Sequence, residues 1–471
     1  MITAGFLFFL LLFVIIGMLS YFKSKNSAED YLIAGKSIAP WLAGLSAVAT
    51  NNSGFMFIGM VGLTYTTGLA SIWVMIGWIF GDLLGNLLAV RQIRLASGQK
   101  SIHSFGGLLA NWHGTDYTWL RRLSGLLTVI FLGAYAAAQL KAGDKATTVI
   151  FGWEQSSGII IGAVIVLLYS YAGGLRASIW TDAAQSFVML FGMLLLMFAG
   201  TQYIGGVEPV MAALGNVSHD YMNWFPDKTT LGIVLFIVGW IFGGMAVLGQ
   251  PHVVIRFMSL DKPEHINRLR VYYYSWFTLF YGATIIVGLL ARIILPETQG
   301  FDQELALPTM AKLLLPDVLV GLILAAMFAA TMSTADSLVI ACSGAITRDF
   351  LPHQKHSLRA AKMATAFVVL TALVIAISDS KTVFNLVLLA WGLLASAFVP
   401  LILVYSRKQL PSEPLAIMMV LVGVAGYLFW YYLGLGGLIY EVVPGIMSGL
   451  LVYWGTLLFA PHQIRQVAYS T

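Results

Sequence analysis

Apolar residues in this chain come in blocks of roughly 17 to 25, each long enough as a helix to cross the ~30 Å hydrocarbon core of a bilayer. That constrains the fold more than any motif does. Hydrocarbon offers backbone amides no water, so a spanning segment must satisfy its own hydrogen bonds as a helix or close into a barrel of strands. Blocks this long, without polar alternation, are helices. Hydropathy places about thirteen of them, near 3–21, 40–65, 68–90, 122–140, 157–172, 183–204, 230–249, 272–295, 318–345, 360–377, 383–404, 415–434 and 438–460. Only 10% of the 471 residues are charged and 59% are hydrophobic, whereas soluble domains carry about 25% charged residues. An all-α, multi-pass membrane protein is expected.

Basic residues test the count. With the N-terminus outside, thirteen spans put the C-terminus in the cytoplasm. Most of the 26 Lys and Arg, including Lys23, Arg94, Lys100, Arg176, Arg256 and Lys355, then fall on the cytoplasmic side. Lys141, Lys145, Lys228, Arg292, Lys312 and Lys381 are left outside. The net charge of +5 follows from cytoplasmic loops facing anionic lipid and needs no nucleic-acid partner. The first span has no basic residue before it, so it reads as an uncleaved helix rather than a signal peptide. Cys342 is the single cysteine, which excludes an internal disulfide, and the histidines lack zinc-site spacing. The connections are short, so residues 1–471 read as one domain.

Polar groups deep in a span are costly and mark cavities or partners, and three places qualify. In LSAVATNNSGFMFIGMVG, Ala49, Thr50, Asn51, Asn52, Ser53 and Gly54 interrupt the second span. Small amide and hydroxyl residues beside glycine favour local unwinding that frees carbonyls for a cation, or else serve close helix packing. In WIFGGMAVLGQPH, Gly243, Gly244, Gly249 and Pro251 predict that the seventh span breaks or ends near Gln250. Breaks five spans apart are what inverted repeats would give, with core repeats about 40–204 and 230–404 and peripheral helices about 3–21, 415–434 and 438–460. In AATMSTADSLVIA, Ala330, Ser333, Thr334 and Ser337 share a helix face, with Asp336 three residues after Ser333. An oxygen-only stripe suits a hard cation such as sodium. Asp336, mid-span, needs a cation, a proton or a partner. Asp182, at the start of the sixth span, is open to an interfacial reading as a helix N-terminal acid, and Asp82 in the third span is equally open.

The segments AATMSTADSLVIACSGAITRDF, GGLRASIWTDAAQ and GQPHVVIRFM resemble the sodium:solute symporter family, and GQPHxxxRFM in particular its sodium/proline branch. The resemblance spans nearly the whole chain. It implies a LeuT-like core of two inverted five-helix repeats in the plasma membrane, alternating access, and sodium-coupled uptake of a small solute such as proline or another amino acid. It assigns a first sodium to Ala49, Asn52, Ala330, Ser333 and Thr334, and in some members a second to Asp182, Ser333, Asp336 and Ser337. It places the solute near Asn51, Ser53, Gly54, Trp240, Gly243, Val247, Gln250 and Pro251. Two departures stand out. Proline transporters of the family carry Asp where this chain has Asn51, and pocket Trp and Tyr where it has Gly243 and Val247, with Trp240 one turn earlier. A sodium-coupled sugar or carboxylate symporter is the alternative within the class. Outside it stands an intramembrane aspartyl hydrolase using Asp182 and Asp336 as a dyad.

Overall fold

Satisfying every amide inside hydrocarbon leaves the apolar blocks one choice, and all of them are helical. The computed structural model describes residues 1–471 except 24, 99–101, 153–155, 296–299, 351–356, 379–382 and 468–471, so Lys100, Lys355 and Lys381 of the charge count lie outside the described residues. The chain begins with α1 (Ile2–Tyr21), α2 (Ala28–Ile33), α3 (Pro40–Asn51), α4 (Val61–Thr67), α5 (Ile72–Gly85), α6 (Arg91–Ser97) and α7 (Phe105–Asn111). Then come α8 (Thr118–Phe151), α9 (Ser157–Ile204), α10 (Val207–Gly215), α11 (Thr230–Met245), α12 (Pro251–Ser259) and α13 (Ile266–Ile294). It ends with α14 (Ala306–Leu314), α15 (Asp317–Gly344), α16 (Leu358–Ser378), α17 (Val383–Ser406), α18 (Glu413–Tyr432) and α19 (Val442–Phe459).

Among the described residues, 11 helical stretches are long and apolar enough to span a membrane, against the thirteen expected. Two of them, Phe55–Ser97 and Ser157–Ile204, absorb expected boundaries. At about 1.5 Å per residue, the 48 residues of the second would stretch more than twice the hydrocarbon thickness. Gly174 divides it with φ 58°, ψ −145°, a conformation a side chain would disfavour. The expected loop before Asp182 is therefore helix on both sides of one glycine. Asp182 sits well inside that helix, fully buried, and is no N-terminal interfacial acid.

Both expected helix breaks are present. α3 stops at Asn51 and Asn52 leaves helical geometry (φ −92°, ψ 8°), after which a wide π-helical segment, Phe55–Met60, leads into α4. α11 passes through a tight turn at Ala246–Gly249 to an extended Gln250 (φ −98°, ψ 101°), and Pro251 opens α12 at the position where its missing N–H costs nothing.

Burial is inverted relative to a soluble protein. Phe8, Phe80, Phe191, Phe198 and Phe367 face outward, while Ser46, Asp82, Asp182, Arg256 and Asp336 are inside. α15 is the axis: every residue from Val320 to Gly344 is buried. α5 and α11 approach until backbone touches backbone; a Cβ on Gly81 would fall 1.8 Å from the carbonyl oxygen of Ile241, and one on Gly244 2.0 Å from that of Trp78. Small residues permit this contact, and van der Waals packing drives it where lipid supplies no hydrophobic force. A short antiparallel pair, β1 (Gln409–Pro411) with β2 (Ile464–Gln466), ties the end of α17 to the chain beyond α19. Glu413 accepts hydrogen bonds from the amides of Trp119 and Leu120, satisfying the open N-terminus of α8.

Candidate functional site

Unwinding at Asn52 leaves the last carbonyls of α3 without helical partners, and α15 crosses there with the hydroxyl stripe turned toward them. Thr334 Oγ1 donates to the carbonyl of Thr50 at 3.0 Å and to that of Ala330 at 3.2 Å. Ser333 Oγ lies 3.4 Å from the carbonyl oxygen of Ala49 and 3.2 Å from that of Ala330. Four of the five expected first-sodium residues thus converge through oxygens alone. The fifth, Asn52, is fully buried at the same turn, with its side-chain amide donating to Val48 O at 2.7 Å and its Oδ1 without a partner.

One helical turn along α15 the site becomes charged, and here the structure adds what the sequence reading missed. Arg256, counted with the cytoplasmic loops, is wholly buried. Its guanidinium pairs with Asp182 Oδ2 at 3.0 Å and donates to Ser46 Oγ at 3.0 Å, Ser178 Oγ at 2.8 Å and Ser337 Oγ. Ser46 and Ser178 donate to Asp182 Oδ2 at 2.6 and 3.4 Å, and Ser178 and Ser337 reach Asp336 Oδ1 at 3.0 and 2.9 Å. Asp182, Asp336 and Ser337 are therefore brought together, but around a fixed guanidinium. Asp182 Oδ1 and Asp336 Oδ2 remain unpartnered. Two carboxylates against one guanidinium leave one charge that a monovalent cation or a proton would balance. Arg176, also assigned to the cytoplasmic face, is likewise buried and paired with Asp30 at 2.6 Å.

Beside the break aromatic residues gather into a closely packed cluster, the wall of the proposed solute chamber. Trp78 of α5 contacts Phe55, Trp240 and Trp391, with ring centroids 5.7, 5.9 and 5.3 Å away, and Trp240 meets Tyr440 at 5.3 Å. Gly243 has no side chain because Tyr440 occupies its space: a Cβ there would meet the Tyr440 ring at 3.0 Å. Trp391 Nε1 donates to the carbonyl of Gly243 at 3.0 Å, and Gln250 Nε2 donates to that of Trp391 at 3.0 Å. Val247 is buried in the turn and accepts the Gln250 amide at 3.0 Å; Pro251 follows as the first residue of α12. Ser53 Oγ accepts from Phe55 N at 3.1 Å, and Gly54 N donates to Gln139 Oε1 at 3.0 Å. Trp78 Nε1, Gln139 Nε2, Gln250 Oε1, both ring nitrogens of His252 and the Tyr440 hydroxyl are buried without partners. A buried polar group without a partner costs roughly 1–3 kcal/mol.

Asn51 alone among the expected solute residues turns elsewhere: its amide nitrogen bonds Asp82 Oδ2 at 3.0 Å and Tyr273 Oη at 2.6 Å. Trp78, Trp391 and Tyr440 went unread because aromatics in apolar spans and at span ends look like core or interfacial belt. Arg256 carried a usable signal, a basic residue one helical turn and a half past the break in GQPHVVIRFM.

A vestibule of about 340 Å³ lies at the end where α18 and α19 join and shares Trp240 and Tyr440 with the aromatic cluster; Tyr427, Tyr431 and Glu441 also line it. Burial pushes the Glu441 carboxyl above its ordinary value of 4.5.

The model of the sodium:solute symporter family matches residues 31–408. The high-affinity proline transporter of Bacillus subtilis is 28% identical over 464 residues, covering 96% of this chain and 97% of that protein. Sodium/proline symporter 2 of Staphylococcus saprophyticus is 27% identical over 467 residues, covering 94% and 89%. Among solved structures, a Na+-coupled sialic acid symporter in a substrate-bound outward-open state superposes with a TM-score of 0.83 at 20% identity, covering 99% of both chains. A nucleobase-cation-symport-1 family transporter gives 0.58 at 16% identity, covering 91% and 95%. At such identities the likeness is one of fold, and the fold is the LeuT-like one expected.

Proposed function

The chain belongs to the sodium:solute symporter family, and from that premise we propose that it imports a small zwitterionic solute, proline or another amino acid, by alternating access. As a family member it is a sodium-coupled, multi-pass transporter of the plasma membrane and not an enzyme. The aspartyl-hydrolase alternative also fails on geometry, since a shared-proton dyad needs two carboxylates facing each other and Asp182 faces Arg256 at 3.0 Å.

The first sodium is held by the carbonyls of Ala49, Asn52 and Ala330 and the hydroxyls of Ser333 and Thr334. The observation carrying this reading is the meeting of the α3 break with the α15 stripe, where a cation would replace the hydroxyl donors now bonded to the free carbonyls. An ion here fastens α15 to the break and stabilises the arrangement in which the adjoining chamber can close on solute. The remaining negative charge among Asp182, Arg256 and Asp336, with Ser337, takes the second cation.

The solute sits between the break and the turn at Gly243–Pro251. Its ammonium lies against the faces of Trp78, Trp240 and Trp391, a cation–π contact worth about 2 kcal/mol when dry. Its carboxylate accepts from Trp78 Nε1 and Gln139 Nε2, both unpartnered now. A dicarboxylate fits less well, because no Lys or Arg stands among these lining residues.

Uptake of radiolabelled proline and a panel of amino acids into proteoliposomes, with and without an inward sodium gradient, tests the reading. Ser333→Ala and Thr334→Ala each raise the sodium concentration for half-maximal uptake by about tenfold, or about 1.4 kcal/mol, with a smaller change in solute KM. Sodium activation unchanged in both variants would sink the assignment.

A further inference from the structure

Asp82 lies outside both sodium positions and is fully buried in α5. Three neutral groups surround it: Tyr274 Oη at 2.7 Å from Oδ1, with Tyr273 Oη at 2.7 Å and Asn51 Nδ2 at 3.0 Å from Oδ2. The donor count is complete. Asn51 Nδ2 has two hydrogens, one for Asp82 and one for Tyr273 Oη at 2.6 Å, which leaves both tyrosine hydroxyls to donate to the carboxylate. Three donors and no acceptor fit an ionised carboxylate. Among the described residues no basic side chain is ion-paired with it, in contrast to Asp182. An aspartate at mid-membrane costs about 2.5–3.5 kcal/mol even on insertion scales, and hydrogen bonds leave its charge uncancelled.

A second observation points to what cancels it. Asn51 Oδ1 is buried and has no partner. A half-turn of the amide about its last side-chain bond exchanges the N–H₂ now on Asp82 for that oxygen. The same four side chains then offer a carboxylate, an amide oxygen and two phenolic oxygens, a hard, oxygen-only set suited to an alkali cation. The position is mechanically significant too. Asn51 is the last residue of α3 before the break, Asp82 lies on α5 one turn beyond the chamber residue Trp78, and both tyrosines belong to α13. Arg270, one turn before Tyr274 and only part-buried, binds Asn86, one turn after Asp82, at 2.7 and 2.9 Å, so the cluster leads from the break toward the surface.

We propose that Asp82, Asn51, Tyr273 and Tyr274 form a further sodium-binding site at the helix break, closed here by the Asn51 amide and opened by its rotation. The proposal rests on the sodium-coupled reading above but uses none of its ligands. The site makes the junction of α3, α5 and α13 sensitive to sodium independently of α15.

Thermal unfolding of the purified full-length protein, titrated with NaCl against choline chloride, separates the sites. The expected melting midpoint rises over separable sodium ranges, one set by Asp82 and the rest by the α15 ligands. Ser333→Ala shifts an α15-dependent range to higher sodium and leaves the Asp82-dependent range in place; Asp82→Asn removes only the Asp82-dependent range, and Tyr274→Phe shifts it about tenfold toward higher sodium. The exchange Asn51→Asp with Asp82→Asn keeps both groups in contact and restores the lost range, even if Asp82→Asn alone does not fold. Asp82→Asn titrating like the wild type, or a lost range that follows pH rather than sodium, would overturn this site while leaving the α15 site standing. Wild type indifferent to sodium would overturn both.

Discussion

Single side chains decide how charge is carried through this membrane protein, and Arg256 is the clearest. It neutralises Asp182 and links Ser46 of α3, Ser178 of α9 and Ser337 of α15. Removing one partner of a buried ion pair strands the other, at a cost on the order of 3–5 kcal/mol. Arg256→Gln should therefore lower the melting midpoint in detergent sharply, and adding Asp182→Asn should recover most of the loss. Arg256→Lys should rescue poorly, since a point charge cannot fork to several oxygens. The sequence exposed Ser333 and Thr334 because 3.6-residue spacing alone puts them on one face. Arg256 was covered by the rule that basic residues near span ends usually are cytoplasmic, and its place shortly after the break in GQPHVVIRFM was the one local sign against it; that all of α12 is buried shows only in the fold. Asn51 was read as a solute residue, but its partner Asp82 is 31 positions away, a separation spacing rules do not bridge.

Helices and their interruptions were largely legible, because backbone chemistry acts locally. Glycine, proline and clustered amides placed the breaks within residues 49–54 and near Gln250, and helical geometry is lost there at Asn52 and Gln250. Gly174 was harder, since the residues on both sides of it remain helical and hydropathy sees only a polar interval. Packing between elements is less legible still. That Gly81 and Gly244 allow α5 and α11 to touch follows only once the two helices are known to be neighbours. Gly244→Ala would set a methyl 2.0 Å from the carbonyl oxygen of Trp78, so it should cost at least the roughly 1–3 kcal/mol typical of overpacking. Gly282→Ala in α13, with nothing within 4 Å, should be neutral or gain up to about 1 kcal/mol in helix propensity. Melting midpoints of the two variants check the contrast.

Across the molecule, the vestibule and its rim couple the chamber to conditions outside the protein. Burial raises the Glu441 carboxyl above 4.5, so the folded protein keeps this proton to higher pH than the unfolded chain does. Its contribution to stability is full below about 4.5 and is lost as pH rises through the folded-state value. Glu441→Gln should flatten that part of the pH profile, measured as melting midpoint from pH 4 to 7. The same rim holds Tyr440, whose ring fills the room over Gly243. A wall of the chamber is thus borrowed from the link between α18 and α19, beyond the helices that carry the proposed ion ligands. On the proposed reading, part of the cargo's wall lies outside the ion-carrying helices, so changes in one outer connection can retune the cargo while the proposed ion ligands are left intact.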